Sequence, residues 1–185
     1  MVMISRDAPC LYLTAVAKDR LPVFRTGALK DIACSALDEA RRSGGFALFA
    51  YVIMPDHIHA ITDGSRKPSD TLRFIKGIMG RRIIDYLKER GYQSSLDKLR
   101  HEIKARQYVH SLWQHHSNVV PLTSESAFMQ KVNYTHQNPM RAGLAERAED
   151  YRWSSVRCWA HSMLEDEPLI MDIDRIVWRK QKRTK

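Results

Sequence analysis

Residues 46–62 read FALFAYVIMPDHIHAIT, and this stretch decides the fold. The first nine residues form a continuous apolar run of strand length, which Pro55 and Asp56 interrupt. The residues after this break continue as a second strand, so the stretch predicts an antiparallel hairpin. Its second strand carries His57 and His59, which point to the same face because strand side chains alternate.

Strand and helix patterns continue on both sides of this hairpin. Residues 10–17 are rich in strand formers, and 28–42 have helical apolar spacing that ends at Gly44-Gly45. A second helix begins near Ser69-Asp70 and ends at Gly91, and residues 92–107 are ambiguous between a loop and a short helix. One or two strands are predicted within residues 108–122. A last helix begins at Ser124 and Glu125 and runs through Gln137, where Asn138-Pro139 should close it.

The order of these elements predicts the fold class. Strand–helix–strand–strand–helix–strand, followed by another helix, is the split βαβ plan of an α+β protein. We expect an antiparallel sheet with helices packed on one face, so that the other face can hold a site. One domain is predicted over residues 1–160, and residues 161–185 are predicted to be a basic C-terminal tail.

Charge and composition narrow the classes of function. The 185 residues include 30 Lys and Arg against 21 Asp and Glu, a net charge of +9. Such an excess favours a polyanionic partner, although a basic protein that binds no polyanion stays open. Three cysteines without a CxxC pair argue against a disulfide framework, and the longest apolar run is too short to span a bilayer. We therefore expect a cytoplasmic protein without a membrane partner.

The histidine pair has several possible roles. Two imidazoles on one face can hold one cation, or each can simply be hydrogen-bonded within the fold. A structural zinc site is a further alternative, with His57, His59 and one more histidine as ligands. The histidines available for that third place are His101, His110, His115 and His116.

The last helix carries a second candidate pair. Tyr134 and Asn138 are four residues apart and so lie on one helical face. A tyrosine hydroxyl beside a metal can attack a phosphodiester, and the amide oxygen of Asn138 could complete the metal shell. A core tyrosine and an ordinary helix-end asparagine are the structural alternatives. His136 lies about 200° around the helix from Tyr134, and we leave it out of the catalytic set.

The two motifs together resemble a known family. YVIMPDHIHAI and, about 70 residues later, KVNYTHQNPMRAGLAERAEDYRWSS are similar to the REP-associated tyrosine transposases, which are single-tyrosine HUH transposases of the insertion-sequence-200-like type. The resemblance implies a ferredoxin-like sandwich that cleaves single-stranded DNA beside a hairpin and transfers strands through a 5′-phosphotyrosine. It implies Tyr134 as the nucleophile, His57, His59 and Asn138 as metal ligands, and Mg²⁺ or Mn²⁺ as the cofactor.

The expected partner is single-stranded or hairpin DNA, bound by a monomer or a homodimer in the bacterial cytoplasm at the nucleoid. Basic residues on the second long helix, near the tyrosine helix end and in the tail are the candidates for DNA contact: Arg81, Arg82, Lys88, Arg141, Arg179, Lys180, Lys182 and Arg183. Two alternatives stay open. One is a non-catalytic hairpin-binding protein derived from such an enzyme, and the other is a rolling-circle-type initiator nuclease.

Overall fold

A computed structural model gives the structure of the chain and describes residues 1–104 and 107–179. The strands within these ranges are β1 (Cys10–Val16), β2 (Leu48–Ile53), β3 (His57–Thr62), β4 (Arg100–Lys104), β5 (Gln107–His110) and β6 (Asn118–Leu122). The helices are α1 (Gly27–Gly44), α2 (Pro68–Glu89), α3 (Gln93–Leu99), α4 (Glu125–Arg141) and α5 (Val156–Trp159), with short 3₁₀ turns at Lys18–Arg20, Ala148–Asp150 and Ile173–Arg175. Within the described ranges, no helix combines the length and apolar character that a membrane span requires.

Four strands form the main sheet, in the order β2-β3-β1-β6, and all neighbours are antiparallel. The strands β1 and β2 therefore run parallel to each other on either side of β3, with α1 connecting them. In the same way β3 and β6 flank β1, and α2 lies in the connection between them. These two split βαβ units confirm the predicted α+β, ferredoxin-like plan. The predicted hairpin is present as β2 and β3.

The sheet packs on both faces. The face that carries Leu13 and Ile58 is covered by α1 and α2 and forms the larger core. The opposite face carries Tyr12 and Ile61, which pack with Phe128 of α4. The helices α1 and α2 thus occupy one face as predicted, and α4 covers part of the face that we expected to hold a site.

The helix α4 is one turn longer than the sequence pattern predicts. Ser124 caps its first turn by accepting a hydrogen bond from the backbone N–H of Ala127. The prediction that Asn138-Pro139 closes the helix is wrong, because α4 continues through Arg141. A proline removes one N–H donor, but the backbone N–H of Ala142 still bonds to the carbonyl of Asn138, and Pro139 is buried in the packing.

Residues 92–122 resolve the ambiguous part of the sequence. The described residues of this range form α3, the separate two-stranded sheet of β4 and β5, and then β6. Lys18 holds the first part of this segment in place, because its amine donates hydrogen bonds to the carbonyls of Lys98 and Arg100. The indole of Trp113 fixes its end by donating to the carbonyl of Lys76 on α2.

The described part of the predicted tail contributes to the core. Leu169 and Met171 are buried in the larger cluster. The carboxylate of Asp172 pairs with Arg41 of α1 and accepts a hydrogen bond from the backbone N–H of Leu48. Leu169, Met171 and Asp172, which lie in the predicted tail, therefore pack on the domain formed by the preceding residues.

Candidate metal and nucleophile site

The two histidines of β3 lie side by side on the α4 face of the sheet. Their ring centroids are 4.9 Å apart, and the ring planes meet at 75°. This is the same-face arrangement that the His-x-His spacing predicts.

His59 is held from the neighbouring strand. Thr14 lies opposite it in the antiparallel register, and Nδ1 of His59 contacts the Thr14 hydroxyl at 2.9 Å and the Tyr12 hydroxyl at 2.8 Å. Burial, followed by the charges of His57 and Lys131, lowers the pKa of His59 to about 3. The ring is therefore neutral at physiological pH, as a metal-ligating imidazole must be.

His57 is oriented by a carboxylate. Its Nδ1 lies 2.6 Å from Oδ1 of Asp56, whose other oxygen accepts a hydrogen bond of 2.9 Å from Arg20. Burial raises the pKa of Asp56, but the hydrogen bonds and charges of His57 and Arg20 outweigh burial and lower it overall. The carboxylate accepts a hydrogen bond from Nδ1–H of His57, so Nε2 is the ring nitrogen that remains for a ligand.

Neither Nε2 atom of the two histidines is completely shut off from solvent. Neither atom has a hydrogen-bond partner among the described residues. Every fully buried side-chain nitrogen of the described residues does have such a partner, so these two nitrogens are not fully buried. The two Nε2 atoms of His57 and His59 must therefore reach solvent. Two imidazoles whose Nδ1 atoms are held by neighbouring side chains and whose Nε2 atoms have no protein partner are a donor set that fits a divalent cation.

In the described ranges, no carboxylate, thiolate or third imidazole is already placed with the histidine pair to complete a metal shell. No group of three His, Cys, Asp or Glu side chains is placed there to hold an ion. The structural zinc alternative needed such a group, so this finding speaks against it. A catalytic site differs from a structural one in keeping positions open for an amide, a water or the substrate.

Tyr134 reaches this pair from α4. Its ring centroid lies 5.7 Å from that of His59 and 6.3 Å from that of Tyr12, in edge-to-face arrangements. The residue is 37% exposed, so it is not a core aromatic. Two cations flank its ring. Nζ of Lys131 is 5.1 Å from the centroid, and Cζ of Arg141 is 5.2 Å from it.

Asn138 and His136 occupy different environments on the same helix. The amide nitrogen of Asn138 donates to the carbonyl of Tyr134 at 2.9 Å, a bond that leaves its Oδ1 available. His136 is only 6% exposed, and its Nε2 lies 2.9 Å from the Ser155 hydroxyl. Burial lowers the pKa of His136 to about 4. The role of Asn138 as a ligand stays a prediction, and His136 belongs to the packed interior.

The basic residues predicted to contact DNA are spread over the molecule. Arg81 and Arg82 lie on α2, on the far side of the sheet from Tyr134, and both pair with Glu39. Lys88 is exposed near the end of α2. Arg141 lies beside Tyr134. Arg179 is exposed after the C-terminal segment, and Lys180, Lys182 and Arg183 lie outside the described residues.

Sequence reasoning missed four residues that shape the site. Asp56 directly precedes His57, and Lys131 stands three residues before Tyr134, so adjacency and helical spacing could have indicated both. Tyr12 and Thr14 depend on the pairing register of β1 with β3. No local sequence signal gives that register.

Comparisons with known proteins bear on the fold. No protein-family model matches the sequence, and no curated protein matches it. A REP-associated tyrosine transposase bound to a REP hairpin is similar in structure, with a TM-score of 0.61 and 18% identity over 89% of this chain and 87% of that chain. This similarity shows that the chain has a fold like that of a REP-associated tyrosine transposase.

A second solved structure is less similar. It is a candidate transposase from Deinococcus radiodurans R1, with a TM-score of 0.49 and 20% identity over 68% of this chain and 86% of that chain. A TM-score this low does not support an assignment of fold or function.

Proposed function

We propose that this chain is a transposase-like enzyme, a metal-dependent single-stranded DNA endonuclease and strand transferase that acts beside hairpin DNA. One observation carries the proposal: the exposed phenol of Tyr134 packs against His59, in a histidine pair whose Nε2 atoms are both open. The similar fold of a transposase bound to a REP hairpin supports hairpin DNA as the partner. The net charge of +9 supports a polyanion in general.

The proposed reaction is a transesterification at phosphorus. The hydroxyl oxygen of Tyr134 attacks the scissile phosphodiester, forms a 5′-phosphotyrosine bond and releases a 3′-hydroxyl. The phosphotyrosine conserves the energy of the broken bond. The 3′-hydroxyl of another strand can therefore attack the same phosphorus, reseal the DNA and return the tyrosine without ATP.

His57 and His59 would hold the divalent cation through Nε2, and Asn138 would add its Oδ1. A cation bound there would supply positive charge to the phosphate oxygens during attack. Asp56, Tyr12 and Thr14 keep the two imidazoles oriented. We propose Mg²⁺ or Mn²⁺, and the imidazole ligands favour Mn²⁺ because Mg²⁺ prefers oxygen ligands.

The cations outside the metal site would bind the DNA backbone. Arg141 is placed to contact a phosphate beside Tyr134, since its guanidinium lies over that ring. Arg81, Arg82 and Lys88 could follow more distant phosphates only if the DNA also crosses α2. We propose the bacterial cytoplasm as the compartment and leave both a monomer and a homodimer as working states.

The test uses labelled single-stranded oligonucleotides that carry a hairpin with randomised flanking nucleotides. With Mn²⁺, the wild type should form an adduct that resists denaturant, and Tyr134→Phe should form none while it keeps its hairpin affinity. Tyr92→Phe is the matched control, because Tyr92 is also exposed and lies at the α2–α3 junction, away from the site. A wild type that binds hairpins without any adduct would favour the non-catalytic binder instead.

A further inference from the structure

Lys131 places a positive charge in the middle of the candidate site. It lies on α4 one turn before Tyr134, so both side chains share a helical face. Its ammonium is 4.7 Å from the ring centroid of Tyr12 and 5.1 Å from that of Tyr134. The hydroxyl of Tyr12 in turn contacts His59, so the lysine stands next to both the nucleophile and the ligand cluster.

No carboxylate in the described ranges neutralises this charge. The carboxylate of Asp56, which lies beside His57, is bound to Arg20 and His57 instead. Among the described residues, the ammonium of Lys131 therefore has no ion-pair partner, and its charge faces only the rings of Tyr12 and Tyr134.

The uncompensated charge indicates an anionic ligand at this point. We propose that Lys131 is a catalytic residue whose ammonium contacts a non-bridging oxygen of the phosphodiester that Tyr134 attacks. This inference rests on the proposed function and adds a protein cation to the charge that the metal ion would supply. Attack by the phenol increases negative charge on the non-bridging oxygens, so a fixed ammonium beside them stabilises the transition state more than the ground state.

Arg141 is a less suitable group for this role, although it also lies over the Tyr134 ring. It is exposed at the end of α4, and its guanidinium is hydrogen-bonded to Gln137 at 3.2 Å. Lys131 is half-buried and lies against two aromatic rings. Its position is therefore better defined, and a defined position is what charge stabilisation of a transition state needs.

The experiment measures the single-turnover rate of adduct formation with saturating hairpin DNA and saturating Mn²⁺. The variant Lys131→Met keeps an unbranched stem of similar length and removes the charge, and Lys131→Arg restores a charge. Lys98→Met, in an exposed lysine of α3, is the control. Hairpin affinity and Mn²⁺ affinity are measured for each variant by titration.

We expect Lys131→Met to lower the rate at saturation about 100-fold, with hairpin and Mn²⁺ affinities within about threefold of wild type. The rate of Lys131→Arg should be at least about tenfold higher than that of Lys131→Met. Lys98→Met should react at the wild-type rate. A rate for Lys131→Met within about threefold of wild type would overturn the role of Lys131 alone. A loss explained by weaker Mn²⁺ or hairpin binding would also overturn it, and a wild type without adduct would overturn the proposed function itself.

Discussion

The two faces of the main sheet are built from the same strands but carry different chemistry. On the face covered by α1 and α2, β1 and β3 present mainly buried apolar side chains, such as Leu13 and Ile58. On the face covered by α4, the same strands present the polar cluster of Tyr12, Thr14, His57 and His59. One strand can therefore serve packing and a site together, because alternation sends neighbouring residues to opposite faces.

The helix α4 also has one side that packs in the core and another side that faces the candidate site. Phe128 and Val132 pack on the sheet, and His136 is buried against Ser155. Lys131 and Tyr134 lie on the flank that faces the histidine pair. The residues that stabilise the fold and those that would react are thus interleaved, and substitutions one position apart should have separable effects.

The largest separable effect is expected at His57. The substitution His57→Ala removes one of two imidazole ligands, so Mn²⁺ affinity should fall at least about 100-fold and adduct formation about 1000-fold or more. Calorimetric Mn²⁺ titration and the adduct assay measure the two effects, and His115→Ala is the control. An Mn²⁺ affinity of His57→Ala equal to that of wild type would show that the metal does not bind on this face of the sheet.

The adjacent residue on the other face should behave in the opposite way. Ile58 is buried in the core under α1 and α2, and Ile58→Ala should lower the free energy of unfolding by about 2–5 kcal/mol. Urea unfolding measures this loss. Mn²⁺ affinity of the folded fraction should stay near wild type, and a selective loss of metal binding with full stability would contradict the division between the two faces.

Much of this division could be predicted from the sequence. The His-x-His pattern gave a shared face for the two rings, and apolar spacing gave α1, α2 and most of α4. The four-residue spacing of Tyr134 and Asn138 placed them on one helical side. These features depend on local periodicity, which is a property of the sequence itself.

The remainder depends on tertiary structure. The register of β1 against β3 brings Tyr12 and Thr14 to His59, and no local pattern encodes that register. The last turn of α4 continues past Pro139 because packing outweighs the loss of one hydrogen bond. The hairpin of β4 and β5 was not predicted, because its polar composition lacks the alternation of a half-buried strand.

A smaller effect is expected from the residue that orients His57. Asp56→Asn removes the charge that fixes the proton on Nδ1 but keeps the size of the side chain. We expect Mn²⁺ affinity to fall about 10–100-fold, less than in His57→Ala. Asp38→Asn, which removes a partner of Arg41 on α1, is the control for a lost ion pair. Equal Mn²⁺ affinities for Asp56→Asn and wild type would contradict the orienting role.

The smallest effect concerns the buried side of α4. Burial lowers the pKa of folded His136 to about 4, below the value of about 6.5 for an unfolded chain. Between these values the unfolded chain binds a proton that the folded protein excludes, so lowering the pH through this window destabilises the fold. Each such histidine contributes up to about 1.4 kcal/mol per pH unit.

The variant His136→Gln keeps a hydrogen-bonding side chain but no longer titrates. Urea unfolding of the metal-free protein between pH 4.5 and 7 should show a shallower decline in stability for this variant than for wild type. Parallel declines in the two proteins would show that His136 is not held neutral in the fold.

The most direct measurement for the whole site is mass spectrometry of the protein–DNA adduct after trypsin digestion. Cleavage after Lys131 and Arg141 gives a peptide of residues 132–141, in which Tyr134 is the only tyrosine. The predicted result is a nucleotide attached to Tyr134 of that peptide, formed only with a divalent cation and accompanied by a fragment with a free 3′-hydroxyl. Attachment at another residue such as Tyr12, or cleavage without any attachment, would contradict the account.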